Sequence, residues 1–245
     1  MKKNVIILTH GWTGSSAFTA LISRAGYWPG DSTVAKVDYD TFENTELVAL
    51  NKQLMKDIGY QGDSERELIS EALVSELANR ADRIDLQPYQ SFIHRLNQHQ
   101  PWIWKDPRLT FTIRIWAQLL DLNQIAFIIL TRDEEQSWIT SNQRRHIQSR
   151  TFTRHYNQGV TETLKHFLHE NEQPYLAFQF EDLQLKPEQT LEALNQFLDA
   201  SLTMDDLKAV YSKPLYEKSK GFRDKLEALA IYLKNYRLRD GRQTS

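Results

Sequence analysis

The sequence contains no cysteine, so a disulfide framework and a cysteine-ligated zinc site are both excluded. Long apolar runs are also absent. No stretch approaches the roughly twenty residues of a membrane-spanning helix, and Val5 to Leu8 is too short for a signal-peptide core. Neither sign of charge is in excess, because 30 lysines and arginines accompany 32 aspartates and glutamates. No overall field therefore attracts nucleic acid or an anionic membrane. These absences predict a soluble, cytoplasmic protein without a nucleic-acid partner or a membrane span, and they leave its oligomeric state open.

The 245 residues are 40% hydrophobic, which suffices for one full core, and no linker or repeat divides them. We therefore expect a single domain over residues 1–245. Buried strands are predicted by four short runs of consecutive apolar residues: Val5–Leu8, Trp102–Trp104, Ile125–Leu130 and Tyr175–Phe180.

Stretches with helical spacing separate these runs, among them Ser64–Arg80 and Thr190–Phe197. From Thr203 onward the pattern is helical only, and its expected inward stripe is formed by Leu226, Leu229, Ala230 and Leu233. Strands that alternate with helices predict a three-layer αβα fold with a mainly parallel central sheet and a helical C-terminal part.

A glycine- and hydroxyl-rich turn follows the first predicted strand. Gly11 and Gly14 allow the backbone to turn tightly, and Ser15 and Ser16 begin the next helix. Backbone N–H groups at such a turn can converge on a phosphate. A nucleoside-triphosphate loop would read G-x-x-x-x-G-K-[ST], but Ser15 follows Gly14 where lysine is required. The turn therefore predicts a phosphate cradle without the usual lysine.

A second candidate anion site follows the strand at Ile125–Leu130. Arg132 comes directly after this strand, Thr140 lies eight positions later, and Ser141 is next to it. A guanidinium and a hydroxyl in this arrangement can bind one phosphate from two sides. Residues 136–161 also contain four arginines and no acidic residue. This segment is either a solvated helix face or a surface facing an anionic ligand.

Five segments, in chain order, resemble the superfamily of sulfotransferases that use 3′-phosphoadenosine 5′-phosphosulfate (PAPS). They are "GWTGSSAFTALISRAGYWPG", "FENTELVALNKQLM", "WIWKDPRLTFTIRIW", "LTRDEEQSWITS" and "FEDLQLKPEQTLEALNQFL". The resemblance implies a P-loop-like nucleotide-binding fold, PAPS as co-substrate, PAP as product, and no metal. It places the 5′-phosphosulfate at Gly11, Trp12, Thr13, Gly14, Ser15 and Ser16. It places the 3′-phosphate at Arg132 and Thr140, with Ser141 beside them.

One position departs from the family's loop, which usually reads [KR]-S-G-T-[TS]. Trp12 stands where the family has a cation that stabilises the departing phosphate oxygen. Lys105, at the end of the Trp102–Trp104 strand, is the leading substitute, although it could equally form a salt bridge with Asp106 or another neighbour. His10 could supply a proton instead, or be a hydrogen-bonded core residue.

The base for the acceptor's proton has several candidates. Glu43 lies at the start of the helix after the glycine turn, where the resemblance places the acceptor cleft. Its alternatives are Glu46 and His94. Acidic residues at that position also compensate a helix dipole, which requires no catalytic role.

The sequence thus predicts an enzyme that moves a sulfuryl group from PAPS to a hydroxyl or amine of a small-molecule, lipid or glycan acceptor. A non-catalytic member of the same fold, binding nucleotide or a partner, is the alternative. An α/β-hydrolase is suggested by "LTHGW", but its G-x-S-x-G elbow is absent. A divergent P-loop kinase would need the missing loop lysine.

Overall fold

The computed structural model describes residues 2–37, 39–210 and 221–241. Its strands are β1 (Asn4–Thr9), β2 (Thr33–Ala35), β3 (Asp40–Asn44), β4 (Ile103–Lys105), β5 (Ile125–Thr131) and β6 (Tyr175–Gln179). Its α-helices are α1 (Ser15–Ser23), α2 (Thr45–Asp57), α3 (Glu71–Asn79), α4 (Gln87–Leu96), α5 (Leu109–Trp116), α6 (Glu134–Gln143), α7 (Arg150–Glu170), α8 (Asp182–Leu185), α9 (Pro187–Leu198), α10 (Met204–Val210) and α11 (Phe222–Lys234). Within these residues no helix is both long and apolar enough to cross a bilayer.

The central sheet contains the four predicted strands in the order β4-β1-β5-β6, and every neighbouring pair is parallel. The prediction of a mainly parallel sheet is therefore confirmed. β1, β4 and β5 are buried along almost their whole length, as continuous apolar runs require. β6, one of the two edge strands, is only partly buried, and Phe180, one residue beyond it, is 3% exposed.

Alternate side chains of β1 belong to two separate hydrophobic cores. Ile6 and Leu8 pack with residues of α2, α3, α4, α5 and α7, whereas Val5 and Ile7 pack with residues of α1, α9 and α10. Successive side chains of a strand point to opposite faces of its sheet, so helices cover both faces. This arrangement is the predicted three-layer αβα fold.

The segment predicted as a helix over Ser64–Arg80 is helical only from Glu71. Ser70 is its N-cap, since its side chain accepts a hydrogen bond from the Leu73 amide. Residues 64–70 instead form a loop in which Ile69 is buried and Leu68 is 48% exposed. A capping serine thus begins the helix seven residues later than the apolar spacing suggests.

The C-terminal part is helical in the described residues, as α10 and α11, while residues 211–220 lie outside them. The predicted inward stripe of α11 is wrong. Leu226, Leu229 and Leu233 are between 39% and 61% exposed, and Ala230 is exposed too. Ala228 is the buried residue of this helix, packed with Trp138 and Ile139 of α6. A small residue allows α11 to approach α6 closely. The contact is made through Ala228, and the leucine stripe is left exposed.

Candidate functional site

The carboxyl ends of β1, β4, β5 and β6 meet at one edge of the parallel sheet, where a cleft opens. In sheets of this kind, ligands bind at this edge. The cleft is lined by Gly11–Ala17, Lys36, Tyr39, Thr41, Glu43, Ser64, Glu65, Lys105, Pro107, Arg108, Arg132, Thr140, Arg144, Tyr156 and Phe180. Ten of the twelve predicted site residues are among them, and His10 and Ser141 are not.

The N-terminus of α1 opens onto this cleft without a capping side chain. Gly14 is the N-cap residue, no side chain accepts from the first turn, and this turn contains no acidic residue. The first amides of a helix carry partial positive charge and have no partner within the helix. The described structure therefore presents unpaired donors at the predicted phosphate cradle.

Only one of the two loop glycines needs to be glycine. Gly14 has φ +84°, and a Cβ there would lie 2.5 Å from the Phe180 ring. Gly11 has no such φ, and a Cβ there would meet nothing within 4 Å. The second left-handed residue of the loop is instead Trp12, with φ 65°. The turn thus combines a left-handed tryptophan and a left-handed glycine.

Trp12 takes part in the site through its backbone and an aromatic contact. Its carbonyl accepts a hydrogen bond from Arg132 Nη1 at 2.9 Å. Its indole lies 4.7 Å from the imidazole of His146, whose Nδ1 is 3.3 Å from a Glu65 carboxylate oxygen. Trp12 therefore contributes no cation to the cleft. Its backbone carbonyl instead helps to position the guanidinium of Arg132.

Arg132 is a buried cation at the end of β5. Its side chain is 6% exposed, lies 5.4 Å from the Phe180 ring, and has Nε 3.4 Å from Glu181. Thr140 lines the same cleft, and its buried hydroxyl has no hydrogen-bond partner among the described residues. Ser141 is different, because its hydroxyl donates to the carbonyls of Ser137 and Trp138. The structure thus brings Arg132 and Thr140 to the cleft and leaves Ser141 inside α6.

Lys105 and Glu43, two of the three predicted catalytic residues, form an ion pair. Lys105 Nζ lies 2.7 Å from Glu43 Oε1, and their side chains are 1% and 16% exposed. Because β4 is parallel to β1, Lys105 reaches the edge that carries the phosphate loop, as predicted. Burial lowers the pKa of Lys105, and the adjacent Glu43 carboxylate opposes this shift. The salt bridge considered for Lys105 therefore exists, with Glu43 as its partner.

A buried polar network under Lys105 was not predicted. The carboxylate of Asp106 accepts from the Arg108 amide at 3.0 Å, from Arg108 Nη1 at 2.9 Å and from Asn51 Nδ2 at 2.9 Å. Asn51 Oδ1 in turn accepts from Thr112 and from the Trp116 indole, both at 2.8 Å. Burial raises the pKa of Asp106, and the Arg108 guanidinium opposes this shift. No local pattern marks Asn51, because its partners lie 55 to 65 residues away.

His10 directly precedes the phosphate loop, is buried, and is not among the residues that line the cleft. Its Nδ1 is 2.7 Å from the Gly11 carbonyl, which can only accept, so Nδ1 carries the proton. Nε2 is buried and has no partner among the described residues. Burial lowers the pKa of His10 to about 4, so the ring is neutral near pH 7. This arrangement does not fit the predicted proton donor, since Nε2 has no proton to give.

The arginine-rich segment divides into a cleft part and a solvated part. Arg144 lines the cleft. Arg150 and Arg154 are exposed and form ion pairs with Glu135 at 2.8 Å and Glu134 at 2.9 Å. The solvated helix face is therefore observed for Arg150 and Arg154, and an anionic ligand at Arg144 stays a prediction. Beyond the predicted set, the β2–β3 hairpin contributes Lys36, Tyr39 and Thr41, and the loop before α3 contributes Ser64 and Glu65.

No protein-family model and no curated protein sequence matches the chain. Its fold is similar to solved sulfotransferase structures. The sulfotransferase domain from the curacin biosynthetic pathway aligns over 92% of this chain and 82% of that domain, with 17% identity and a TM-score of 0.49. The sulfotransferase domain of the Synechococcus PCC 7002 olefin synthase aligns over 95% and 96%, with 15% identity and a TM-score of 0.48. Sulfotransferase STF9 from Mycobacterium avium aligns over 95% and 76%, with 12% identity and a TM-score of 0.47. What the cleft can bind follows from its own side chains.

Proposed function

We propose that this protein is a sulfotransferase that moves a sulfuryl group from PAPS to a hydroxyl or amine of a small-molecule, lipid or glycan acceptor. One observation carries the proposal. An uncapped helix N-terminus, a buried arginine and a buried lysine converge on a single cleft at the carboxyl edge of a parallel sheet. Two separate cationic regions suit a nucleotide with phosphate groups at both its 3′ and 5′ positions.

The residues of the cleft fit such a nucleotide. The amides of Gly14, Ser15 and Ser16 would hold the 5′-phosphosulfate, because α1 has no capping side chain of its own. Arg132 and the unpartnered Thr140 hydroxyl would hold the 3′-phosphate. A buried hydroxyl without an acceptor or donor is costly, and a phosphate oxygen would satisfy it.

The chemistry supplied by PAPS is an activated sulfuryl group whose S–O bond to the 5′-phosphate breaks as a new S–O or S–N bond to the acceptor forms. Glu43 would accept the proton that the acceptor loses. Lys105 would neutralise the negative charge that develops on the departing phosphate, in place of the cation missing at Trp12. The loop amides would add fixed positive dipoles at the same point.

A non-catalytic nucleotide-binding protein of this fold is the second candidate. It is favoured by two observations: an indole stands at the usual place of the loop cation, and Lys105 is held by Glu43. Such a protein would bind PAP without transferring sulfate from PAPS to any acceptor. Binding and turnover therefore have to be measured separately.

Calorimetric titration with PAP tests the nucleotide site. We expect metal-independent binding of PAP that is tighter than binding of ATP with magnesium, since the cleft has no P-loop lysine for a triphosphate. Equal or tighter binding of ATP would contradict the assignment. A screen of hydroxyl and amine acceptors with PAPS then distinguishes the enzyme from the non-catalytic binder.

Replacement of Arg132 by alanine tests the 3′-phosphate assignment. We expect PAP affinity to fall by roughly tenfold or more, because a charge-assisted hydrogen bond contributes about 1.5–3 kcal/mol. Arg150→Ala is the matched control, since Arg150 is exposed and pairs with Glu135 outside the cleft. Thermal melting checks that the variant remains folded, because Arg132 also holds the Trp12 carbonyl. Wild-type affinity in folded Arg132→Ala would refute this placement.

A further inference from the structure

The ammonium group of Lys105 is buried but only partly satisfied. Its side chain is 1% exposed and lines the cleft. Among the described residues, Glu43 Oε1 is the one hydrogen-bond acceptor for Nζ. An ammonium has three protons to donate, so two of them have no acceptor in that part of the protein. A buried cation with spare donors and an opening toward a cleft is arranged to take a further anionic partner.

The neighbouring Asp106 does not satisfy this lysine. Its carboxylate already accepts three hydrogen bonds, two from Arg108 and one from Asn51. It is 0% exposed and fixed beneath the cleft. Glu43 is different, because it lies on β3 of the hairpin, is 16% exposed and lines the cleft itself. Asp40, the third carboxylate that faces Lys105, accepts from the Thr33 hydroxyl and the Phe42 amide. Glu43 is therefore the carboxylate that can leave.

We infer that Lys105 exchanges partners when the nucleotide binds, passing from Glu43 to the 5′-phosphate and thereby freeing the Glu43 carboxylate. This inference rests on the proposed function and adds a form of regulation to the same site. Without nucleotide, the base is occupied by the ammonium and is not available to an acceptor. With nucleotide, the phosphate neutralises Lys105 and Glu43 can take the acceptor's proton. Donor binding would thus precede activation of the acceptor.

Titration of PAP into Glu43→Gln tests the exchange. In the wild-type protein, the Glu43 carboxylate competes with PAP for Lys105. The glutamine variant lacks this competitor, and we expect it to bind PAP roughly tenfold more tightly. Glu46→Gln is the matched control, because Glu46 lies close by, at the start of α2, and pairs with Arg95 outside the cleft. Unchanged or weaker PAP binding by folded Glu43→Gln would overturn the inference.

The Lys105→Met background separates exchange from simple repulsion between Glu43 and phosphate. If Glu43 competes for Lys105, the gain from Glu43→Gln should vanish when Lys105 is methionine. If the gain persists there, the carboxylate merely repels the phosphate and the exchange is refuted. Failure of wild-type protein to bind PAP would refute the proposed function and the exchange together. Wild-type binding without a gain in the variant would refute the exchange alone.

A pH series on the single variant gives a second readout that does not require Lys105→Met to fold. The charged groups facing Lys105 are Glu43 and Asp40 from β3 and Asp106 from the end of its own strand. Without the Glu43 carboxylate, the buried lysine holds its proton less firmly. As the pH rises, PAP affinity of Glu43→Gln should therefore begin to fall at a lower pH than wild-type affinity does. An identical pH dependence in the two proteins would contradict the exchange, because the wild-type series already contains the titration of the phosphate.

Discussion

Of the two glycine-to-alanine substitutions in the phosphate loop, Gly14→Ala should destabilise the fold more than Gly11→Ala. Gly14 has φ +84°, which an alanine adopts at a cost of about 1–2 kcal/mol. Its Cβ would also lie 2.5 Å from two atoms of the Phe180 ring. Phe180 is 3% exposed and packs against the Arg132 guanidinium, so its ring has little room to move.

The two costs are of different kinds and should add. Forcing an extra carbon into a packed site costs about 1–3 kcal/mol. Together with the backbone term, Gly14→Ala should lower the free energy of unfolding by about 2–5 kcal/mol. In a chain of this length, that loss corresponds to a fall of roughly 5–15 °C in melting temperature.

Gly11→Ala is the control in the same loop, because its Cβ meets nothing within 4 Å and its φ is not left-handed. Urea unfolding of both variants gives the comparison, and Gly11→Ala should stay within about 0.5 kcal/mol of wild type. A Gly14→Ala/Phe180→Leu double variant should recover the steric part of the loss and keep the backbone part. Equal unfolding midpoints for the two glycine variants would refute the reasoning.

Two further predictions concern buried polar groups. Burial lowers the pKa of His10 from 6.5 to about 4, so between these pH values the unfolded chain binds a proton that the folded protein does not. The stability this provides is complete above about pH 6.5, and about 3 kcal/mol should be lost as pH falls to 4. Urea unfolding from pH 4 to 7 should show a shallower slope for His10→Gln, and an unchanged slope would exclude His10 as its source. Asn51→Leu should cost about 3 kcal/mol or more, since Asp106 loses a donor and Trp116 an acceptor. A loss below 1 kcal/mol in the same assay would show that the network contributes little.

The parts of the fold that follow from the sequence are those with a strong local pattern. Val5–Leu8 and Ile125–Leu130 are strands in the structure because both faces of the sheet are covered, which demands uninterrupted apolar residues. The β2–β3 hairpin had no such pattern, since its strands are short and mostly half-buried. The predicted inward stripe of α11 was wrong for a related reason. Helical spacing of leucines does not specify which face of the helix packs against the rest of the protein.

Some features of the candidate site were likewise predictable from the sequence, and others were not. The sequence predicts that one edge of the sheet carries the glycine turn, Arg132, Thr140 and Lys105. This prediction is possible because the carboxyl ends of parallel strands lie at the same edge. The pairing of Lys105 with Glu43 could not be predicted, since 62 residues separate them and the intervening chain contains three α-helices, α2, α3 and α4. Nor could the role of Asn51 be predicted, because its partners are Asp106, directly after β4, and Thr112 and Trp116 of α5.

The sequence by itself determined the alternation of strands and helices, the turn after β1 and the residue types that can hold phosphate. These depend on neighbours within a few positions, where backbone geometry and apolar spacing act directly. Only the tertiary structure decided which charges meet. Ion pairs and buried hydrogen bonds depend on distances between distant segments, and those distances are set by the packing of helices on the sheet.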